Sequence, residues 1–327
     1  MTLRTLLREA SARLEQANVP DPQYDARVLL LHAFHLDTAH FLFLEEKELN
    51  EVIPDRSLRE EALLSFRRTA EKRAARIPLQ QILGTAGFYG MDFTVSDAVL
   101  SPRQDTETLV DEVLKKVDRS AEKLLDICTG SGCIAIALAK YGTFRETLAV
   151  DISAPALEIA GKNAAALLPE DILQKGTAAV TRQASGENAE DAEESAGRRC
   201  FTLLHSDLFQ ALPEYLRDRG CGDTAYFDVI VSNPPYIRSA VVDTLEPEVR
   251  DHEPRIALDG DADGLRFYRI IAAEAPAYLK HGGWLFLEIG YDQGADVSAL
   301  LRENAFTGVG ICRDLAGQDR VVMGRKA

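Results

Sequence analysis

Apolar residues follow two different periods along this chain. In the first seventy-five or so residues they recur at helical spacing: Leu3, Leu6, Leu7, Ala10 and Leu14, then Ala26, Leu29, Leu30 and Ala33. Asp21-Pro22 reads as an N-cap followed by a first-turn proline. A third helix is expected from about Arg56 to Arg76, with Leu63, Leu64 and Phe66 inward and Arg67, Arg68, Lys72, Arg73 and Arg76 outward. Residues 1–76 are therefore expected to form a small helical domain for docking or structure. Between 77 and 100 the texture changes to short β-like pieces (residues 80–83, 88–89 and 92–95) separated by Gly84, Gly87 and Gly90, as in a hairpin connector.

From residue 101 onward, strand-like and helix-like stretches alternate. Lys123–Ile127, Thr147–Val150, Phe201–Leu204, Val229–Ser232 and Trp284–Ile289 read as buried strands, with amphipathic helices between them. Two closing strands are expected at about 307–313 and 320–323. This alternation predicts an α/β fold with a parallel, doubly wound sheet and an antiparallel edge, binding its ligand beyond the carboxyl ends of the strands. One stretch does not fit. Residues 169–199 lack aromatics and are rich in Ala, Glu, Gly and Ser, too polar to offset their ordering entropy, and read as a disordered acidic insertion.

The strand tips carry the candidate chemistry. Asn233-Pro234-Pro235-Tyr236 ends a β-branched run at two prolines, which can continue neither a helix nor a sheet ladder. A stiff loop remains, offering the Asn233 oxygen, main-chain carbonyls and the Tyr236 ring. It suits a planar group bearing an NH2, although a plain strand-ending turn would look the same in isolation. Cys128-Thr129-Gly130-Ser131-Gly132 follows another strand and opens a helix, and Asp151 ends the next strand 19 positions after Gly132. Glycines there allow a sharp bend and close approach to a ligand at a helix N-terminus, and a carboxylate at the next strand tip can accept both ribose hydroxyls. Asp207, at a third tip, faces either an adenine amine or the cap of the following helix. Asp105, Thr106 and Glu107 read as first-turn residues of the helix that follows.

Charge and composition narrow the partners. Fifty-two acidic residues against 37 basic give a net charge of -15, which argues against broad affinity for nucleic acid and favours a basic protein partner. No apolar run approaches the roughly 20 residues of a membrane span, and the N-terminus lacks a signal-peptide centre. Five cysteines without a CxxC pair indicate neither a disulfide framework nor a zinc site, and His32 and His35 read as helix-face residues. A cytoplasmic, metal-free protein is expected.

With both loops in place, the chain resembles the HemK/PrmC family of protein-(glutamine-N5) methyltransferases. The resemblance runs nearly end to end and is most specific at Pro78–Gly84, Asp126–Lys140, Asn233–Tyr236 and Leu287–Gly290. It implies a class I S-adenosylmethionine-dependent methyltransferase fold. The methionine part of S-adenosyl-L-methionine would lie by Cys128, Thr129, Gly130, Ser131 and Gly132, its ribose on Asp151 and its adenine near Asp207 and Leu208. Asn233 and the Pro234 main chain would hold a glutamine amide, with Pro235 and Tyr236 lining the pocket and Arg103 and Glu107 kept from the family's substrate loop. The implied partner is a class-1 peptide chain release factor, modified at the glutamine of its Gly-Gly-Gln motif. Two positions depart from the family pattern: Cys128, where glycine is usual, and Gln104-Asp105, where Pro-Glu is usual.

Other readings fit less of the chain. A glutamine methyltransferase for a ribosomal protein shares every motif. A DNA adenine or cytosine amino-methyltransferase would use the same acceptor loop on a flipped base, against the acidic charge. An NAD-dependent dehydrogenase explains the glycine turn and leaves Asn233–Tyr236 without a use, and a non-catalytic binding module leaves the pairing of the two loops to chance.

Overall fold

The computed structural model describes residues 1–170, 172, 199–221 and 225–327. Most of the proposed acidic insertion thus lies outside the described residues. The chain divides into two compact units, 1–85 with 246–252 and 86–245 with 253–327.

The first unit is helical, with helices at Leu3–Gln16, Pro22–Phe34, Thr38–Leu44, Leu49–Val52, Arg56–Ala74 and Leu79–Leu83. Thr2 and Asp55 cap two of them through Thr5 N (3.2 Å) and Leu58 N (2.9 Å). Leu3, Leu14, Leu29, Leu30, Phe41 and Phe66 close its core. Two expectations fail here. Residues 80–83 are helical, Gly84 ending the turn in the left-handed conformation at φ 75° that glycine tolerates. The long helix is also rotated from its expected phase. It buries Ala62, Phe66, Ala70 and Arg73, while Leu64 is 69% exposed. Arg73 points inward because two carboxylates meet it there: Nε donates to Asp25 at 2.6 Å and Nη2 to Glu248 at 2.8 Å. Arg76 donates to Glu248 at 2.6 Å. Buried charges persist only when paired like this, and the partners are too distant in sequence for helical periodicity to reveal.

The second unit carries the sheet. A short hairpin, β1 (Thr85–Phe88) and β2 (Met91–Thr94), precedes seven strands: β3 (Lys123–Ile127), β4 (Glu146–Asp151), β5 (Cys200–His205), β6 (Phe227–Ser232), β7 (Leu279–Glu288), β8 (Phe306–Arg313) and β9 (Asp319–Lys326). Their spatial order is β5-β4-β3-β6-β7-β9-β8. The first five run parallel, and β9 and β8 add the antiparallel edge. This is the class I methyltransferase architecture that the motifs imply.

Parallel strands buried on both faces need apolar residues at successive positions. Leu124, Ala149, Leu203 and Val229 face one core with helices Glu107–Lys116, Cys133–Tyr141 and Ala154–Leu167. Their neighbours Leu125, Val150, Leu204 and Ile230 face the other core with Leu212–Asp218, Arg266–Tyr278 and Gly294–Glu303. Strand order runs outward from β3 through β4 to β5, then returns to β6 on the other side of β3. That reversal opens a crevice above β3 and β6, where a doubly wound sheet binds its ligand.

Candidate active site

A cleft of about 280 Å³ lies at these carboxyl ends. It is lined by the turn after β3 (Cys128, Thr129, Gly130, Ser131), the tip of β4 (Asp151, Ile152, Ser153) and the tip of β5 (Ser206, Asp207, Leu208). Asn233 and Pro235 after β6 join them, as do Arg103 and Thr106 and the apolar Pro254, Ile256, Ala257 and Phe267. The volume and the mostly apolar wall with a few convergent polar groups suit a small ligand.

The turn after β3 is built from backbone in left-handed conformations: Cys128 at φ 61°, Gly130 at 55° and Gly132 at 81°. Nothing lies within 4 Å of where a Cβ on Gly130 would stand, so this glycine borders open space in the cleft. At Gly132 a Cβ would press Ile136 at 3.0 Å and Ala160 at 3.2 Å, so that glycine serves helix packing and does not line the cleft. Thr129 donates its hydroxyl to Asp126 at 2.6 Å. Burial pushes the Asp126 carboxyl up to about 7, and its Oδ1 has no hydrogen-bond partner. Asn163, buried on the helix Ala154–Leu167, donates to Ser131 O at 2.9 Å and Thr94 O at 3.0 Å and accepts from Thr94 N at 2.7 Å, tying the turn to β2.

Asp151 accepts from Gly130 N at 2.8 Å through one oxygen and from Ser153 N at 2.9 Å through the other. Burial raises its carboxyl, and these amides pull it back toward the ionised form. A carboxylate has about four acceptor positions, so two stay available for hydroxyls in the cleft. Beside it, Leu208 adopts φ 49°, and Ser206 braces the bend by donating to Leu208 O at 2.8 Å and accepting from Ala211 N at 3.0 Å. Asp207 is exposed at the rim. The open space beyond Gly130, the two-armed acceptor at Asp151 and the apolar wall fit a nucleoside-bearing cofactor. Burial pushes the Cys128 thiol up and the Cys133 thiol to about 12, so neither cysteine supplies a thiolate.

The loop after β6 is held differently. Ser232 donates to Ile127 O at 2.6 Å at the end of the β3–β6 ladder. The Tyr236 carbonyl accepts from Gln293 Nε2 at 3.0 Å, and Gln293 also donates to Gly264 O at 3.2 Å and accepts from Gly290 N at 2.9 Å. Gly260 lies against this loop: a Cβ there would stand 2.8 Å from Tyr236 Cα and 2.9 Å from Pro235 O. Asn233 and Pro235 reach the cleft; Pro234 is buried and Tyr236 packs on the core below, so neither lines it. Burial raises the Tyr236 phenol.

Of the two residues expected in the substrate loop, Arg103 lines the cleft, and its guanidinium holds both oxygens of buried Glu253 at 2.8 and 2.7 Å. Glu107 does not line it: at the first turn of its helix it accepts from Tyr89 N at 2.7 Å and braces the β1–β2 hairpin tip. Asp105 pairs with Arg320 at 3.2 Å, and Arg320 in turn holds Asp314 of the closing hairpin at 3.0 Å. From sequence, Thr106 reads only as a first-turn residue, and Glu288, Gln293, Gly260 and Gly264 have no assigned part in the site. The Leu287–Gly290 motif was the available signal for Glu288, and the other three belong to no local pattern. Among the described residues no group of three or more His, Cys, Asp or Glu could hold a metal ion, and no helix is long and apolar enough to cross a membrane.

Comparison with known proteins adds names to this geometry. A family profile described as the PrmC N-terminal domain matches residues 5–84, and one described as ribosomal protein L11 methyltransferase (PrmA) matches 104–185. A release factor glutamine methyltransferase from Geobacter sulfurreducens is 38% identical over 324 residues, 99% of this chain and 96% of that protein. One from Caulobacter vibrioides is 38% identical over 327 residues, covering 100% and 97%. A solved release factor-specific protein-(glutamine-N5) methyltransferase from Alicyclobacillus acidocaldarius is 27% identical, with a TM-score of 0.37 over 69% of this chain and 93% of that one.

Proposed function

The chain belongs to the release factor glutamine methyltransferase family, and we propose that its cleft transfers a methyl group from S-adenosyl-L-methionine to the side-chain amide nitrogen of a glutamine. The substrate proposed is the Gly-Gly-Gln motif of a class-1 release factor. The observation that carries this reading is that the acceptor Asn233 and the Gly130–Asp151 cradle open into one cleft.

In this reading the turn Cys128–Ser131 holds the cofactor's methionine part, Asp151 its ribose, and Asp207 and Leu208 its adenine side. The bound cofactor supplies an activated methyl on a cationic sulfur. The chain's task is the nucleophile. An amide nitrogen shares its lone pair with its carbonyl and attacks poorly. The Asn233 oxygen, which reaches the cleft, accepts an N–H of that amide, drawing electron density to nitrogen as positive charge develops there. Preorganised groups of this kind are each worth roughly 3–4 kcal/mol, by analogy with oxyanion holes. Alignment of nitrogen with the methyl adds an orientation contribution. Pro235 stiffens the loop, and Arg103 lines the same cleft while paired with Glu253. Direct transfer from the activated methyl needs no side-chain nucleophile, and the proton leaves to solvent.

The PrmA match, described as a ribosomal protein L11 methyltransferase, leaves a ribosomal protein as the second substrate to test. Mass spectrometry of a co-expressed release factor decides between them: one added methyl on the Gly-Gly-Gln glutamine is expected. An unmodified release factor beside a methylated ribosomal protein would transfer the assignment to the latter.

A further inference from the structure

We infer that Glu288 is a positioning residue for this transfer, fixing the Asn233 side-chain amide so that its oxygen, and not its NH2, faces the cleft. The inference rests on the glutamine-methyltransferase reading above. An asparagine amide is nearly symmetric in shape, and its two ends differ only in accepting or donating. Turned the wrong way, Asn233 would meet the NH2 of a substrate amide with an NH2 of its own. The loop's prolines stiffen the main chain and leave this side-chain choice open.

Strand register supplies the selector. Ser232 of β6 pairs with Leu287 of β7, so the next residues, Asn233 and Glu288, leave adjacent parallel strands side by side. Glu288 is 2% exposed, and its Oε2 has no hydrogen-bond partner. The polar groups against its carboxyl are the Thr106 hydroxyl, the Asn233 amide and the charged pair Arg320 and Asp105. Burial pushes the carboxyl up to about 7, while Thr106, Arg320 and Asn233 favour the ionised form and Asp105 opposes it. A buried carboxylate oxygen without a partner calls for a donor, and the adjacent strand end supplies the Asn233 amide. The unpartnered Oε2 can accept from an NH2, so Asn233 satisfies it by turning its NH2 to Glu288, which leaves its own oxygen to the cleft. The backbone beneath is fixed on both sides: Tyr268 donates its hydroxyl to Glu288 O at 2.8 Å, and Ile289 N donates to Arg320 O at 2.9 Å.

A merely structural buried acid would show itself in folding or ligand affinity, whereas a positioning residue shows itself in kcat. Three proteins are compared on a release factor: wild type, Glu288→Leu and Glu288→Gln, with cofactor affinity measured by calorimetry. Glu288→Leu is expected to lose about 100-fold in kcat with cofactor Kd and release-factor KM within about threefold. Glu288→Gln keeps an acceptor of the same shape and is expected within about tenfold of wild-type kcat. The inference is overturned if Glu288→Leu turns over within about threefold of wild type, if its loss lies in cofactor Kd, or if cofactor-binding Glu288→Gln is as slow as Glu288→Leu. Should Glu288→Leu fail to fold by circular dichroism, Glu288→Gln decides alone by the same kcat limit. The wild-type rate tests the functional reading and the variant-to-wild-type ratio tests Glu288, so the two fail separately.

Discussion

Two loops meet in the cleft, and they are made rigid by opposite means. The turn Cys128–Gly132 takes its shape from its own residues, with three left-handed positions within five and the bend closed locally by Gly132 N donating to Thr129 O at 2.9 Å. Asn163 and Asp151 then anchor it. The loop Asn233–Tyr236 is stiffened by two prolines but held in place from outside, by Gln293, Gly260 and Gly264. A self-shaped loop can be read from a short stretch of sequence. An externally braced one cannot, because its supports are about 25 to 60 residues further along the chain. In the functional reading the division is also chemical: the first loop binds, and the second sets the reacting amide.

The sharpest way to break this division is at Asn233. Asn233→Ala is expected to lower kcat by about 10²–10³-fold while cofactor affinity stays near that of wild type. Calorimetry and single-turnover rates on a release factor check the two halves. Near-normal turnover would remove the acceptor role and with it the contrast.

Next in size is a pair of glycines, one behind each loop. A Cβ on Gly260 meets main-chain atoms of Pro235 and Tyr236, which cannot swing aside, so Gly260→Ala must displace the acceptor loop. A shift of about 1 Å costs roughly 100-fold in rate, so kcat is expected to fall by that much with cofactor affinity nearly unchanged. Gly130→Ala should do the reverse. Its Cβ meets no protein atom but enters the cleft space that the functional reading gives to the cofactor, and φ 55° adds strain of about 1–2 kcal/mol. Cofactor affinity and stability are expected to drop, with kcat at saturating cofactor retained. Matching kinetic profiles from the two variants would show that the loops act as one unit.

Asp151→Ala comes third. It removes a carboxylate that accepts from Gly130 and Ser153 and, in the reading above, from ribose hydroxyls. Hydrogen bonds to a charged group are worth about 1.5–3 kcal/mol, so a loss of about 10–100-fold in cofactor affinity is expected, measured by calorimetry. Unchanged affinity would take the ribose away from Asp151.

Much of this was legible in the sequence wherever cause and effect lie close together. β3, β4 and β6 and the cleft residues at their tips follow from buried apolar runs leading into a glycine turn, Asp151 or Asn233-Pro234. Most misses share one physical reason, a partner brought in from afar. Arg73 looked like solvated surface until Asp25 and Glu248 met it in the helical unit. Glu107 looked like part of a substrate loop, yet its carboxylate is occupied by the Tyr89 amide of the hairpin. Residues 80–83, Gln-Gln-Ile-Leu, differ for a local reason: the five residues Leu79–Leu83, ending at left-handed Gly84, close into a helical turn. Register likewise hid Glu288: only the pairing of Ser232 with Leu287 sets it beside Asn233.

Cys128 gives the smallest and most local test. The family pattern has glycine at this position, and the structure supplies the reason in φ 61°, where any side chain is strained by about 1–3 kcal/mol. Cys128→Gly removes that strain. Against it stand the greater freedom of glycine in the unfolded chain, about 0.4–1 kcal/mol, and the lost packing of a small, partly buried side chain. The opposing contributions nearly balance, so the expected gain in stability is below about 1 kcal/mol, a rise of a few degrees at most in Tm. Because the turn would keep its shape, cofactor affinity should hold or improve slightly as the thiol leaves the cleft wall. A clear loss of affinity in Cys128→Gly would mean that the cysteine contacts the cofactor through its side chain, and the first loop would then no longer be a pure backbone cradle.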